Sequence, residues 1–106
     1  MKLHMLMFRN VLIQTFTTPQ FVDIEPENAA IQLQRSLVLN FGKEPEKVMS
    51  YDSLILYHVA DFDDQTGVIT PLPEPVLLLN CIDVVNSLKV QASNKPVKEE
   101  VDDVRA

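Results

Sequence analysis

Three aspartates that lie close together, Asp61, Asp63 and Asp64, are the first residues of this chain whose type and spacing suit chemistry. Clustered carboxylates are the ligands that Ca²⁺ and Mg²⁺ prefer, and a metal pair held by them would serve phosphoryl transfer. The helix-loop-helix calcium pattern does not fit, because Gly67 stands at its seventh place instead of its sixth and no glutamate stands at the twelfth. We therefore interpret the aspartates as a solvated hairpin turn and predict no metal site.

The two histidines, His4 and His58, each lie among apolar residues in a segment with strand character. As a metal pair they would need further ligands, and a hydrogen-bonded, partly buried histidine is the commoner outcome. The chain has neither a nucleophile in a glycine elbow nor a glycine-rich phosphate loop. Because Cys81 is the one cysteine of the chain, neither an intrachain disulfide nor a zinc site built from several cysteines can form. We predict a protein that is not an enzyme and has no cofactor.

Binding of single-stranded DNA is the remaining chemistry that the side chains suggest. Basic residues gathered on one surface, with an aromatic ring for base stacking, would follow a DNA strand. The alternative is that Lys43 and Lys47 pair with the neighbouring glutamates, Glu44 and Glu46, in an ordinary solvated loop. The candidate nucleic-acid-binding residues are Lys2, Phe8, Arg9, Arg35, Lys43, Lys47 and Tyr57.

The distribution of charge opposes this hypothesis. The formal net charge is −6, and residues 89–106 hold four basic and four acidic residues, so the whole excess lies on residues 1–88. A general nucleic-acid binder is expected to carry a basic face or stripe. DNA binding therefore requires that the few basic residues of residues 1–88 come together in the fold.

The N-terminal segment predicts a central strand or a strand at an interface. From Lys2 onward both alternating sets of side chains are largely apolar, as in a strand that is covered on both faces. Arg9 and Asn10 offer a turn, after which the β-branched and aromatic residues of 11–17 would return antiparallel until Pro19 stops them.

The clearest predicted helix spans residues 26–41. Pro26 suits the first helical position, and Gly42 follows as a C-terminal cap. An apolar stripe predicts that one face packs on a sheet; it consists of Ala30, Leu33, Leu37 and Phe41.

Residues 53–70 predict a hairpin whose loop depends on Gly67, the one residue there that freely accepts a positive φ. Pro71, Pro73 and Pro75 should end it, because proline lacks a donor for the ladder, and form a stiff, extended connector.

Residues 76–90 fit either a second, C-terminal helix or an added strand, since they combine helical apolar spacing with many β-branched residues. From Gln91 onward the polar, charged sequence predicts a mobile tail. We expect an α+β fold with one domain at 1–90, a small antiparallel sheet with one main helix packed on it, and a flexible tail at 91–106. No apolar run approaches 18 residues, so we expect no membrane span.

The segment from Leu56 to Leu72 resembles the hallmark segment of the small nonstructural protein of gokushoviruses, which are single-stranded DNA phages. In that family a short strand leads through a Phe-Asp-Asp turn and Thr-Gly into a second strand and a proline-rich exit, as at Phe62 to Pro71 here. An aromatic-proline segment, a helix and a Gly-Lys-Glu-Pro-Glu segment precede it in the same order, so that the resemblance covers residues 16–75.

The resemblance implies a non-enzymatic accessory protein of viral DNA synthesis or genome packaging in the host cytoplasm, which binds single-stranded DNA or the replication complex. The rival hypothesis is a homodimeric module that contacts the initiator, the procapsid or a host factor without DNA. A homodimer is expected from the residues as well, because the hairpin edge and the apolar strand faces need more cover than one helix gives. A contiguous patch of Arg9, Arg35 and Lys43 would favour DNA, and dispersed basic residues around an exposed apolar groove would favour a protein partner.

Overall fold

The computed structural model describes the backbone of residues 1–105 and the side chains of residues 1–93. Five strands and three helices follow one another along the chain in the order β1 Lys2–Asn10, β2 Thr15–Phe16, β3 Gln20–Val22, α1 Pro26–Phe41, α2 Pro45–Met49, β4 Leu54–Asp63, β5 Ile69–Asn80 and α3 Cys81–Arg105.

All strand pairs of the sheet are antiparallel. β1 pairs along its whole length with β4, and its other edge pairs with β3 near His4 and with β2 near Arg9. β5 pairs with β4 and forms the outer strand on that side. The predicted α+β fold and the central position of the first strand are confirmed.

The first turn lies later than the sequence indicated. β1 continues through Arg9 and Asn10, and within residues 11–17 only Thr15 and Phe16 return as a strand. Pairing with β1 resumes after Pro19, in β3. The side chain of Asn10 accepts hydrogen bonds from the backbone N–H groups of Leu12 and Ile13, at 2.9 and 3.3 Å. Asn10 is therefore the last residue of β1, and its side chain caps the turn that comes after it.

The helices enclose the core against one face of the sheet. α1 has the predicted bounds, and Leu37 packs with Val48 of α2 and with Cys81, Val85 and Leu88 of α3. Strand residues Phe8, Leu54 and Leu79 contact the same cluster. Gly42 caps α1 in a right-handed conformation, with φ of −78°, so its freedom to adopt a positive φ is not used there.

The hairpin of β4 and β5 is confirmed, with Gly67 at a φ of +77° in the connecting loop. The prediction that Pro71, Pro73 and Pro75 end it is wrong, because β5 continues to Asn80. Pairing is interrupted instead: Ala60 faces Pro71, the next pair joins His58 to Val76, and the residues between them bulge out. An outer strand tolerates proline, since one row of its N–H groups needs no partner in the sheet.

The alternatives for residues 76–90 each hold for part of the segment. Residues 76–80 complete β5, and α3 begins at Cys81, where the side chain of Asn80 accepts hydrogen bonds from the N–H groups of Ile82 and Asp83. α3 does not end near Val90 but continues to Arg105, through the range for which we predicted a mobile tail. Side chains from residue 94 onward are outside the described residues, and the mobility of residues 91–106 stays a prediction. Among the described residues, no helix combines the length and the apolar character needed to cross a membrane.

Candidate functional site

The two faces of the sheet differ in what covers them. Side chains alternate along β1, so that Phe8 points to one face and its neighbours Met7 and Arg9 to the other. Phe8 contacts the helical core cluster and lies edge to face with Tyr51, at 5.6 Å between ring centroids. Residues of α1, α2 and α3 all belong to that cluster. Among the residues with described side chains, no second buried cluster contains a helix residue. The face that carries Met7 and Arg9 is therefore the open sheet face.

Two aromatic pairs cross β1 on the open sheet face. Phe16 of β2 meets Tyr57 of β4 at 5.8 Å between ring centroids, and Phe21 of β3 meets Phe62 of β4 at 5.3 Å. The guanidinium of Arg9 lies over the Phe16 ring, 5.3 Å from its centroid, which is a cation–π contact. The rings thus form two cross-strand clusters that brace the short strands β2 and β3 against the long strand β4.

The open sheet face is also apolar at its edges. Ile69 and Leu77 of β5 pair with Phe62 and Tyr57 in the register, so they share this face, and they are 51% and 54% exposed. Phe21 on the opposite edge is 45% exposed. An apolar surface of this kind that is shared by several strands is typical of a binding interface.

The structure divides the predicted DNA-binding residues between the two layers. Arg9 and Tyr57 lie on the open sheet face, and both contact Phe16. Phe8 packs toward the core, and Arg35 belongs to α1 on the helical side.

Two of the other predicted basic residues, Lys47 and Lys2, lie next to carboxylates. Lys47 forms an ion pair with Glu44 at 2.9 Å, as the alternative of a solvated loop predicted. Lys2 faces Asp63 in the register, and its charge is among the causes that lower the pKa of the Asp63 carboxyl, after the hydrogen bond from the Gln65 backbone. Lys43 lies in the turn between α1 and α2, whereas Arg9 lies over Phe16 on the opposite face of the sheet. Arg9, Arg35 and Lys43 therefore do not form the contiguous patch that would favour DNA.

A second group of functional side chains lies on the helical side of the sheet, toward the N-terminal end of β1. The Oδ1 atom of Asp61 is 2.8 Å from Nδ1 of His4 and 2.9 Å from Nε2 of His58. The two imidazole rings are edge to face at 5.2 Å between centroids. All three side chains are partly exposed, with 24%, 14% and 36% of the side chains of His4, His58 and Asp61 accessible. We call these three residues the His–Asp cluster.

An irregularity of β4 brings the His–Asp cluster together. His58 and Asp61 are three residues apart, and in a regular strand an odd spacing places two side chains on opposite faces. The register skips one residue here, because Met5 pairs with Ala60 while Leu6 pairs with His58, so Val59 has no partner in β1. This bulge turns His58 to the face of Asp61, and His4 is the direct partner of Asp61 in β1.

The carboxylates at this end of the sheet have hydrogen-bond or ion-pair partners. Burial raises the pKa of the Asp61 carboxyl, but the hydrogen bonds from His4 and His58 outweigh it and hold that pKa below its ordinary value. The neighbouring carboxylate of Asp64 forms an ion pair with the N-terminal amino group at 2.8 Å, and its hydrogen bond raises the pKa of that amine. The sheet end therefore presents a carboxylate anion between two imidazoles.

The residue types point to every member of the His–Asp cluster but do not connect them. The spacing predicted the aspartates in a turn, whereas Asp61 lies within β4, and it predicted hydrogen-bonded histidines in separate strands. The pairing of His4 with Asp61 follows from the register of β1 and β4, which the sequence leaves open. The bulge at Val59 has no signal in the residue types, since neither glycine nor proline stands there.

Comparison with known proteins adds no relative to these observations. No protein-family model matches the chain, and neither a curated protein nor a solved structure matches it. The resemblance to the gokushovirus protein stays a prediction from the residues.

Proposed function

We propose that this chain is a non-enzymatic interaction module that binds a protein partner through its open sheet face. The partner that we propose is a second copy of the chain. In the setting that the gokushovirus resemblance implies, the module would act in phage DNA synthesis or genome packaging in the host cytoplasm. The observation that carries the proposal is the apolar, aromatic face that the helices leave uncovered.

The apolar area supports an interface between protein surfaces. Leu77 and Ile69 lie at one edge of the face and Phe21 at the other, each about half exposed, with the rings of Tyr57 and Phe62 between them. Burying such side chains yields roughly 25 cal/mol for each Å² removed from water. A second sheet of the same kind, packed face to face, would cover these apolar side chains.

The charges support a protein partner over nucleic acid. The excess of six negative charges lies on residues 1–88, and Arg9 is the basic residue that the described structure places on the open sheet face. DNA affinity depends on several lysine or arginine contacts to phosphates. One arginine in an acidic protein is a weak basis for such contacts.

The test is the molar mass of the purified protein by sedimentation equilibrium over a range of concentrations. We expect a dimer for the unchanged chain and a shift toward monomer for Leu77→Glu, because the new carboxylate would be buried at the interface without a partner. Leu39→Glu is the matched control: Leu39 lies on α1, in the other layer, and is 72% exposed. It should leave the dimer intact.

The control also makes the outcome decisive. A monomer at every concentration would contradict the self-association, and a dimer that Leu39→Glu disrupts while Leu77→Glu does not would move the interface to the helices. Circular dichroism verifies that each variant is folded, and Ile69→Glu repeats the test from another position of the same face.

Single-stranded DNA is the second candidate partner, favoured by one specific observation. Arg9, Phe16 and Tyr57 combine a cation with two aromatic rings on an open sheet, which is the combination that stacks bases and holds phosphates. Labelled single-stranded and duplex oligonucleotides, titrated with protein across a salt series, test it. Arg9→Ala should weaken binding and Arg35→Ala, in the other layer, should not. An absence of binding at low salt excludes direct contact with DNA.

A further inference from the structure

We propose that His4, His58 and Asp61 form a binding site for one Zn²⁺ ion, which joins β1 to β4 at one end of the sheet. The site lies on the helical side of the sheet, whereas the proposed protein interface is the open sheet face. The two proposals are therefore independent, and either one can fail without the other.

The three ligand atoms already converge. Nδ1 of His4, Nε2 of His58 and a carboxylate oxygen of Asp61 all lie within 4.8 Å of one another. In a tetrahedral zinc site with bonds of about 2.0–2.1 Å, neighbouring ligand atoms are roughly 3.3 Å apart. The two N–O distances here are 2.8 and 2.9 Å, so an ion would replace two hydrogen bonds and lengthen each of these distances by about half an ångström. The two ring nitrogens lie within 4.8 Å of each other and would have to come to about 3.3 Å.

The backbone holds these ligands in place without the ion. His4 and Asp61 are partners on adjacent strands, and the bulge at Val59 turns His58 toward them. Strands position ligands more precisely than loops do, because the ladder fixes their spacing. β-Bulges are frequent next to functional sites, where they redirect a side chain.

The donor set selects a class of ion. Two imidazole nitrogens with one carboxylate oxygen suit Zn²⁺ and neighbouring transition metals, whereas Ca²⁺ and Mg²⁺ prefer oxygen ligands alone. Three protein ligands leave a fourth position for water. The partial exposure of all three side chains gives water and the ion access to the site.

The experiment is isothermal titration of the untagged, full-length chain with ZnCl₂, together with the thermal unfolding midpoint at increasing zinc. We expect binding that saturates at one ion per chain and a midpoint that rises with zinc, because an ion that binds the folded state alone stabilises it. Co²⁺ provides a second probe, since the visible absorption of the bound ion reports a four-coordinate site.

Matched variants locate the site. Asp61→Asn keeps the shape of the side chain but removes its charge and one ligand oxygen, and should weaken zinc binding at least about tenfold. His4→Gln and His58→Gln should do the same, whereas Asp63→Asn changes a neighbouring carboxylate and should leave the affinity within about twofold. If a ligand variant alters the fold, as judged by circular dichroism, the Co²⁺ spectrum of the unchanged protein still tests the coordination.

Two outcomes would overturn the inference. The first is an absence of heat, of stabilisation and of a Co²⁺ spectrum, which would leave the cluster as a hydrogen-bonded His–Asp–His group. The second is zinc binding that the three ligand variants leave unchanged, which would place the ion elsewhere on the acidic surface.

Discussion

Replacing each of the two glycines of this chain by alanine should change the free energy of unfolding in opposite directions. Gly67 lies in the loop between β4 and β5 with a φ of +77°, and Gly42 caps α1 with a φ of −78°. A Cβ atom built on either residue meets no atom within 4 Å. Replacement by alanine therefore causes no clash at either position, and the backbone conformation alone decides the result.

The magnitudes follow from that conformation. At Gly67 the left-handed conformation costs an alanine about 1–2 kcal/mol, while the reduced freedom of the unfolded chain returns about 0.4–1 kcal/mol. We expect Gly67→Ala to lower the free energy of unfolding by about 1 kcal/mol. At Gly42 only the reduced freedom of the unfolded chain applies, so Gly42→Ala should raise the free energy of unfolding by about 0.4–1 kcal/mol.

Urea unfolding followed by circular dichroism measures both variants. The midpoints should move in opposite directions while the slopes remain unchanged, because neither substitution alters the surface exposed on unfolding. Gly67→Asn is the control for conformation: asparagine tolerates a positive φ better than alanine does and should lose less stability. The same sign for Gly67→Ala and Gly42→Ala would refute the reasoning, since it would mean that the φ angle does not govern the effect.

Three further predictions concern the junction of β5 and α3. Asn80→Ala removes the side chain that accepts hydrogen bonds from the N–H groups of Ile82 and Asp83, and should cost about 1 kcal/mol in urea unfolding; Asn86→Ala, at an exposed position of α3, should change stability by less than about 0.5 kcal/mol. Cys81 is fully buried, and burial raises the pKa of its thiol from 9.0 to about 11. The unfolded chain therefore releases this proton first, so stability should fall as the pH rises above 9 toward 11, and Cys81→Ala should lack that contribution. Reaction of Cys81 with a thiol reagent at pH 8 should require unfolding; rapid labelling of the folded protein would contradict the burial of the thiol.

Local signals in the sequence were sufficient for the elements that depend on a few neighbouring residues. Pro26 at the first helical position and an apolar stripe define α1 with its observed bounds, and Gly67 marks the loop of the hairpin. The missed continuation of β5 has a structural cause. The prolines after residue 70 end a strand only where each N–H must be paired, and the outer position of β5 with its bulge removes that requirement.

For the candidate site, the sequence determined the chemistry that is present, and the tertiary structure decided which groups meet. Two histidines, a group of aspartates and a few basic residues in an acidic chain are properties of the sequence alone. The separation of Arg9 from Arg35 depends on which face of the sheet the helices cover. The meeting of His4, His58 and Asp61 depends on the register of β1 against β4 and on one unpaired residue in β4. Because side chains alternate along a strand, a shift of one residue reverses the face on which every following side chain lies, and only the pairing of distant strands fixes that shift.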